Sequence, residues 1–419
     1  LPAELQKADN IRFDYKAIKG GNMTGALSGV RVVDFSRMYA GPYCSMILRE
    51  LGAEVIKIEF RESGDACRTI PPITEGGEGY IFSILNRGKK SITLELRDKQ
   101  GQEIARELIR KSDVLLENFT PGVMDRLNLG WDDVSRLNPK LIYASLSGFG
   151  QTGPNAGRAA YDTVAQAMGG LMSVTGFPEN PPTKCGPAVA DLSGGAYTVI
   201  AILAALQHRN SSSRGQRVDV SLQDCIWLMT AVETIAPFVL SGHSPGRIGN
   251  MHPSIVPWNN YHAKDGYIVI CVVTIGQWQK LAEVIDRPDL IEDPDTLSLA
   301  SRVQRREELD SIVADWVKGR TVAEIQRIMD EASLPCAPVM DTEKLVSDPH
   351  IRSRQMVVDV EQMISGSLKM PGSVFKLSAT PGDPSAPAPF LGEHNSDIYG
   401  SLLGYSEAKI EELIGKEII

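Results

Sequence analysis

One carboxylate stands out by its setting: Asp191, in the run Gly186-Pro187-Ala188-Val189-Ala190-Asp191-Leu192-Ser193-Gly194-Gly195. An apolar stretch ends in this single acid, no Lys or Arg lies within the run, and two glycines follow, which would let a substrate approach the backbone closely. A carboxylate nucleophile needs such a place, because it must be ionised without being over-stabilised by a cation. A second role is open. The apolar segment 196–206 reads as a buried helix, and an Asp just before a helix commonly accepts from its free N–H groups. Read locally, the run leans to the cap. Other chemistries lack their signatures. The connection after the first strand reads Ser36-Arg37-Met38-Tyr39-Ala40-Gly41-Pro42 and not G-x-G-x-x-G, although Glu59 ends the second strand where a ribose-binding acid would sit. No Walker motif or nucleophile-elbow serine is present. Cys44, Cys67, Cys185, Cys225, Cys271 and Cys336 are scattered without close pairs, so neither a metal site nor a disulfide framework is expected.

Composition narrows the class. The chain has 419 residues, 42% hydrophobic and 23% charged, which is an ordinary globular balance with room for two or three domains. A net charge of −9 and a pI near 5.4 argue against a general nucleic-acid binder, yet permit a local basic pocket for a small polyanion. No segment reaches the roughly 18 unbroken apolar residues of a membrane span. Glu4, Asp9 and Asp14 are unlike a transit peptide. A cytoplasmic location is expected, or a mitochondrial matrix one if a leader was removed.

The elements that must position Asp191 follow from periodicity. The continuous β-branched run at 30–35 reads as a buried parallel strand, and 54–59, 91–96, 114–119, 141–149 and 216–221 read as further strands. Helical spacing falls between them, at 43–51, 100–111, 121–128, 131–137, 160–176 and 194–207. The alternation predicts a doubly wound, Rossmann-like α/β layer with right-handed crossovers. A long apolar helix is expected over 224–240. The expected organisation is an N-terminal arm (1–26), a large α/β domain (27–225), a linker helix and loop (226–257), a small α+β domain (258–341) and a return segment (342–419). The small domain should open with a hairpin turning at Lys264-Asp265-Gly266 and carry helices at 276–285, 302–318 and 321–332. The return segment contains a proline-rich wrapping stretch at 380–389 and a closing helix at 406–414.

Several strings in register carry a resemblance. They are Ala40-Gly41-Pro42; Gly52-Ala53-Glu54-Val55-Ile56-Lys57-Ile58-Glu59 with Gly64-Asp65; Asn86-Arg87-Gly88-Lys89-Lys90-Ser91; Glu117-Asn118-Phe119-Thr120-Pro121-Gly122; Gly148-Phe149-Gly150-Gln151-Thr152-Gly153-Pro154; Tyr161-Asp162-Thr163; and Gly215-Gln216-Arg217-Val218-Asp219-Val220-Ser221. The chain resembles the class III CoA-transferases, which include formyl-CoA and carnitine CoA-transferases and have α-methylacyl-CoA racemase as an isomerase branch.

The resemblance implies that Asp191 is the catalytic nucleophile and reverses the local leaning to a cap. It implies CoA transfer through an aspartyl mixed anhydride and an aspartyl-CoA thioester. The partners implied are an acyl-CoA and a small carboxylic acid, with no metal, no permanently bound cofactor, no nucleic acid and no membrane. CoA contacts are implied for Met38, Tyr39, Ala40, Leu94, Arg97, Asn118, Phe119, Arg126 and Leu127. Arg97 stands where the formyl-CoA branch usually has a lysine. Phe60 stands where it has an arginine, for which Arg61 is a substitute. Arg68, Arg87, Lys89 and Lys90 are further candidate cations, each open to the alternative of a solvated surface charge. Racemases place a His where this chain has Tyr161, and a phenol with a reference pKa of about 10 is a poor base at neutral pH. That favours transferase over racemase, with Tyr161 lining the acyl pocket, hydrogen-bonding the anhydride or merely packing; an idle CoA-binding homologue stays open as an alternative. Gly249-Asn250-Met251-His252-Pro253 replaces a glycine-rich active-site lid, with His252 either a base or merely positional. Gly392-Glu393-His394 reads as structural. Arg158, Lys184 and Arg247 are candidates for a second substrate carboxylate. The resemblance also implies a homodimer of interlocked rings.

Overall fold

The computed structural model describes residues 25–419, so the expected N-terminal arm falls almost wholly outside the described residues. Two compact units divide the chain. The first comprises the chain up to Gly169, then Gly186–Thr230 and Pro349–Ile419; the second comprises Gly170–Cys185 and Ala231–Asp348.

In the first unit six strands, β1 (Arg31–Asp34), β2 (Glu54–Glu59), β3 (Lys90–Thr93), β4 (Val114–Glu117), β5 (Ile142–Ser147) and β6 (Gln216–Ser221), form one sheet in the order β3-β2-β1-β4-β5-β6. Every pairing is parallel, with Val32 opposite both Val55 and Val114. The order is that of a dinucleotide-binding fold. Side chains alternate across the sheet, so neighbours in one strand feed different cores. Val33, Ile56 and Leu115 pack on one face with Ile104 and Leu108, while Val32, Val55 and Leu116 pack on the other with Val199 and Ile202. The Lys99–Arg110 helix starts at Asp98, whose carboxylate accepts the Gln100 N–H, and it lays Ile104, Ala105, Leu108 and Ile109 onto the sheet. The return segment completes this unit. Its strands β10 (Val357–Gln362) and β11 (Gly366–Pro371) pair as a hairpin, and the terminal Ile418 and Ile419 join the core beside the Glu407–Gly415 helix.

Two expected helices are divided. In place of one helix over 224–240, Leu222–Met229 ends at Thr230, whose hydroxyl bonds the carbonyl of Ile226 (3.1 Å), and a separate helix runs over Ala231–Ser241. In place of 160–176, Asp162–Met168 stops at Gly169, and Leu171–Val174 follows Gly170, whose φ is +92°. A third boundary matters more: the helix expected from 194 begins at Val189 and runs to Ser212, so Asp191 lies inside its first turn. By length and apolarity it is the one single helix among the described residues that could cross a membrane, but Val199, Ile202, Ala205 and Leu206 are packed into the sheet core.

The second unit contains an antiparallel sheet of β7 (Trp258–Ala263), β8 (Gly266–Cys271) and β9 (Cys336–Pro338). The first two form the expected hairpin. Helices Ile275–Val284, Arg306–Lys318 and Val322–Glu331 bury Trp278, Leu281, Val313, Ile325 and Met329 against it. The first of these opens with a capping box between Thr274 and Gln277, which satisfies two backbone donors reciprocally.

Candidate active site

β1 is the point where the chain order reverses: β2 and β3 lie to one side, β4 to β6 to the other. Such a switch point opens a crevice beyond the carboxyl ends of the strands. A cavity of about 140 Å³ lies there. Its walls are Arg37, Met38, Tyr39 and Ala40 after β1, Asn118 and Phe119 after β4, and Gly148 after β5, with Tyr161 and Asp191 completing it. Seven of the residues singled out from sequence therefore meet in one place.

Asp191 occupies the wall contributed by the Val189–Ser212 helix. The helix has no cap from its own N-cap residue, Ala188. Asp162 supplies one from another segment: its Oδ1 accepts the N–H of Ala190 (2.8 Å) and of Asp191 (3.4 Å), and Gln166 donates to its Oδ2 (2.6 Å). The capping role that local sequence suggested for Asp191 thus belongs to Asp162. The Asp191 carboxylate itself pairs with no cation and accepts no hydrogen bond among the described residues. Burial, and next the charge of Asp162, push its pKa up to about 7. Burial and then Asp191 also push up the phenol of Tyr39, which stays protonated at neutral pH. Gly194 and Gly195 do not open a path for substrate, as the sequence suggested. A Cβ on Gly195 would lie 2.8 Å from the Ala40 carbonyl, and one on Gly194 would lie 2.4 Å from Leu222 Cδ2. They let the helix seat Asp191 against the start of the Ala40–Glu50 helix.

On the opposite wall, Asn118 clamps Arg37 by accepting its N–H and donating to its carbonyl, both at 2.8 Å. Met38 then takes a left-handed conformation, φ +67°, where a dinucleotide-binding loop would use glycine. For a residue with a Cβ this costs roughly 1–2 kcal/mol, so neighbouring groups must hold it. The Arg37 guanidinium covers the Phe60 ring at 3.6 Å and lies 5.0 Å from the Phe119 centroid. Phe60, Arg61 and Arg97 belong to a further cavity of about 450 Å³ in the same unit. Arg97 lies 5.8 Å over Phe60. Arg126 is exposed and has no acidic partner among the described residues.

Other sequence candidates are committed elsewhere. Leu94 is 1% exposed in the core beneath the sheet, and Leu127 packs against the same core, so neither side chain lines either cavity. Arg87 is bound to Glu50 and the Pro371 carbonyl, Lys89 to Asp34, Lys90 to Glu54 and Asp397, and Arg68 to Glu59. Arg61 reaches Glu417 at 3.2 Å. Glu59 accepts from Arg68, Ser91 and the Asp65 N–H, which leaves nothing for a ribose. In the second unit, Gly249 (φ +65°) donates to the Gly176 carbonyl at 2.9 Å. The His252 ring lies 5.0 Å from that of Trp258, tilted by 43°, and its Nδ1 accepts the Ser254 N–H. Arg247 is spent on the carbonyls of Phe177, Pro178 and Asn180, Lys184 donates to the Cys185 carbonyl, and Arg158 reaches Asn155, so none of the three stands ready for a substrate carboxylate. Sequence reading missed Arg37 and Asp162. The second follows Tyr161 directly, but its cap spans 28 residues, a pairing without local signal.

The profile of CoA-transferase family III matches residues 27–395. The chain belongs to that family. It is similar to the succinyl-CoA:mesaconate CoA-transferase of Haloarcula hispanica, with 38% identity over 89% of this chain and 96% of that one. It is also similar to the succinyl-CoA–D-citramalate CoA-transferase of Chloroflexus aurantiacus, with 36% identity over 94% and 98%. Among solved structures, a CAIB/BAIF family protein from Brucella suis superposes with a TM-score of 0.80 at 34% identity, covering 90% of this chain and all (100%) of that one. As a family III CoA-transferase, the chain matches these relatives over most of its length, with the switch-point crevice inside the region matched by the family.

Proposed function

We propose that this protein transfers CoA from an acyl-CoA to a carboxylic acid by covalent relay through Asp191. The observation that carries the reading is a half-buried carboxylate free of any cation, facing a cavity at the sheet's switch point. In the first step an Asp191 oxygen attacks the thioester carbonyl, forming an acyl-aspartyl anhydride and expelling CoA thiolate. The thiolate attacks the aspartyl carbonyl, which releases the donor acid and leaves an aspartyl-CoA thioester. The acceptor carboxylate attacks that thioester, giving a new anhydride and thiolate. The thiolate then takes the acyl group and restores the Asp191 carboxylate. The overall exchange of one CoA thioester for another is nearly balanced in energy, while the anhydrides lie above both thioesters, so the enzyme's task is to hold the reactants in place and to split one hard displacement into easier ones.

In this reading the pantetheine end lies in the cavity with Tyr39, Ala40 and Tyr161, and the nucleotide end reaches Phe60 and Arg97 in a cavity whose walls also carry Glu62, Glu95, Asp98 and Glu417, so Arg97 and the Phe60 ring are the groups that favour it there. Both relatives above are named for succinyl-CoA and a dicarboxylic acid, which supports a dicarboxylate acceptor. A homodimer is part of this reading. On the Ala231–Ser241 helix the apolar side chains of Val232, Val239 and Leu240 are 76%, 71% and 87% exposed, and a second copy is the occupant of matching chemistry.

The test incubates the enzyme with succinyl-CoA and a panel of dicarboxylates, reads new CoA thioesters by mass spectrometry, and traps the intermediate with hydroxylamine. Hydroxamate on the Asp191 peptide is expected; turnover with label on no carboxylate would overturn the relay. Native mass spectrometry at twice the chain mass is expected, and a stable monomer would remove the dimer.

A further inference from the structure

Every backbone polar group from Ser36 to Met38 is taken by a side chain. The Ser36 N–H donates to Asp34 (2.9 Å), and the Ser36 carbonyl accepts from Lys57 Nζ (2.8 Å). Asn118 takes both groups of Arg37. The Met38 N–H reaches the two carboxylate oxygens of Asp65 at 3.2 and 3.3 Å, and the Met38 carbonyl accepts the Cys67 thiol at 3.1 Å. Lys57 and Asp65 are themselves paired at 2.9 Å with side chains 0% and 1% exposed. One buried ion pair thus grips the loop on both sides of Arg37, and neither member lines the cavity.

We propose that Asp65, braced by Lys57, is a positioning residue for acyl-CoA: it holds Met38 left-handed, so that Tyr39 and Ala40 are presented to the cavity opposite Asp191. The proposal rests on the CoA-transferase reading of that cavity. A glycine at 38 would reach this conformation without help but would also leave it freely; a methionine under a carboxylate clamp is fixed there. A buried ion pair is seldom retained for stability, since apolar replacements of similar volume often serve as well. Its two hydrogen bonds to the loop give this one a positional role.

The test compares Asp65→Ala with Asp65→Ala/Met38→Gly, using succinyl-CoA and an acceptor turned over by the wild type. The single variant should raise the KM for succinyl-CoA about tenfold or more while kcat changes by less than about threefold, because a displaced binding wall loses alignment. Adding Met38→Gly should recover at least about threefold of that loss, since glycine removes the bias against positive φ. A merely structural Asp65 would lower the melting temperature and the folded fraction, leave KM alone, and gain nothing from glycine. An unchanged KM, or no recovery, overturns the proposal. If Asp65→Ala does not fold, Lys57→Met/Asp65→Leu removes both charges together, with the same KM expected. Calorimetric titration with CoA separates the two levels of inference. A wild type that binds CoA but transfers nothing defeats the functional reading alone, and about tenfold weaker CoA binding by the variant still supports the clamp. A wild type that binds no CoA defeats both.

Discussion

The two walls of the switch-point cavity hold carboxylates under opposite regimes. Behind the loop after β1, burial pushes the Asp65 carboxyl up, but Lys57 and the amides of Cys67 and Met38 outweigh it and hold it below its usual range. On the facing helix, burial meets no such compensation, and Asp162 adds to it, so Asp191 rises to about 7. Asp65 is a fixed charge whose hydrogen bonds are all in use. Asp191 has none, and its lone pairs remain for chemistry. Desolvation alone therefore does not mark a reactive carboxylate; desolvation without a partner does.

Removing Asp191 is the strongest way to break the comparison. Asp191→Ala and Asp191→Asn should each lower CoA transfer by about 10³-fold or more, because loss of a covalent nucleophile is not made good by binding groups. Circular dichroism should be unchanged, and residual turnover near wild type would end the covalent reading. The asparagine variant carries a stability signature too. A folded-state pKa raised from 3.8 to about 7 means that the native form prefers the proton, and the resulting stabilisation is fully present below pH 3.8 and lost as pH rises through about 7. At pH 8 the Asp191→Asn variant, neutral at this position, should melt several degrees higher than wild type, by roughly 4 kcal/mol at most and less where solvent screens the carboxylate. At pH 4 the difference should nearly vanish.

Much of this site is legible in the sequence. Strands β1, β2, β4 and β5 are mostly buried along their length, as continuous apolar stretches in the sequence suggest, and Asn118, Phe119, Tyr161 and Asp191 follow or face strand ends where a parallel sheet binds ligands. What fails has common causes. Motif position points Leu94 toward CoA, but its neighbours in the folded unit, not in the string, put it in the core. Arg87 and Lys89 look like surface charges because their partners, Glu50 and Asp34, lie 37 and 55 residues earlier. The start of the Asp191 helix escapes local reading because Asp162, from a separate segment, satisfies its first turn.

The comparison sharpens with pH. The nucleophile is the ionised form, so kcat/KM should fall about tenfold per unit below pH 7 and level off above it. A profile flat from pH 5 to 8 would put the Asp191 carboxyl in the ordinary range and erase the contrast with Asp65. Smaller again is the nucleotide end. Arg97→Ala should raise the KM for acyl-CoA about three- to tenfold, more at low salt than high, since one cation near a phosphate acts through a screened field. An unchanged KM at low ionic strength would remove the Phe60–Arg97 cavity from the CoA path.

The finest test concerns Asp162, which has two duties that one substitution can separate. Its Oδ1 caps the helix, and its charge lifts the Asp191 pKa. Asp162→Asn keeps an oxygen for the Ala190 N–H while removing the charge. The helix start should hold, and the acid limb of the kcat/KM profile should move to lower pH by less than about one unit, the scale expected for one nearby charge when burial is the larger cause. At pH 6 the variant should therefore be faster than wild type by up to severalfold, and at pH 8 the two should converge, since both nucleophiles are ionised there. A variant slower by the same factor at every pH would mean that the cap, and not the charge, is what Asp191 draws from its neighbour.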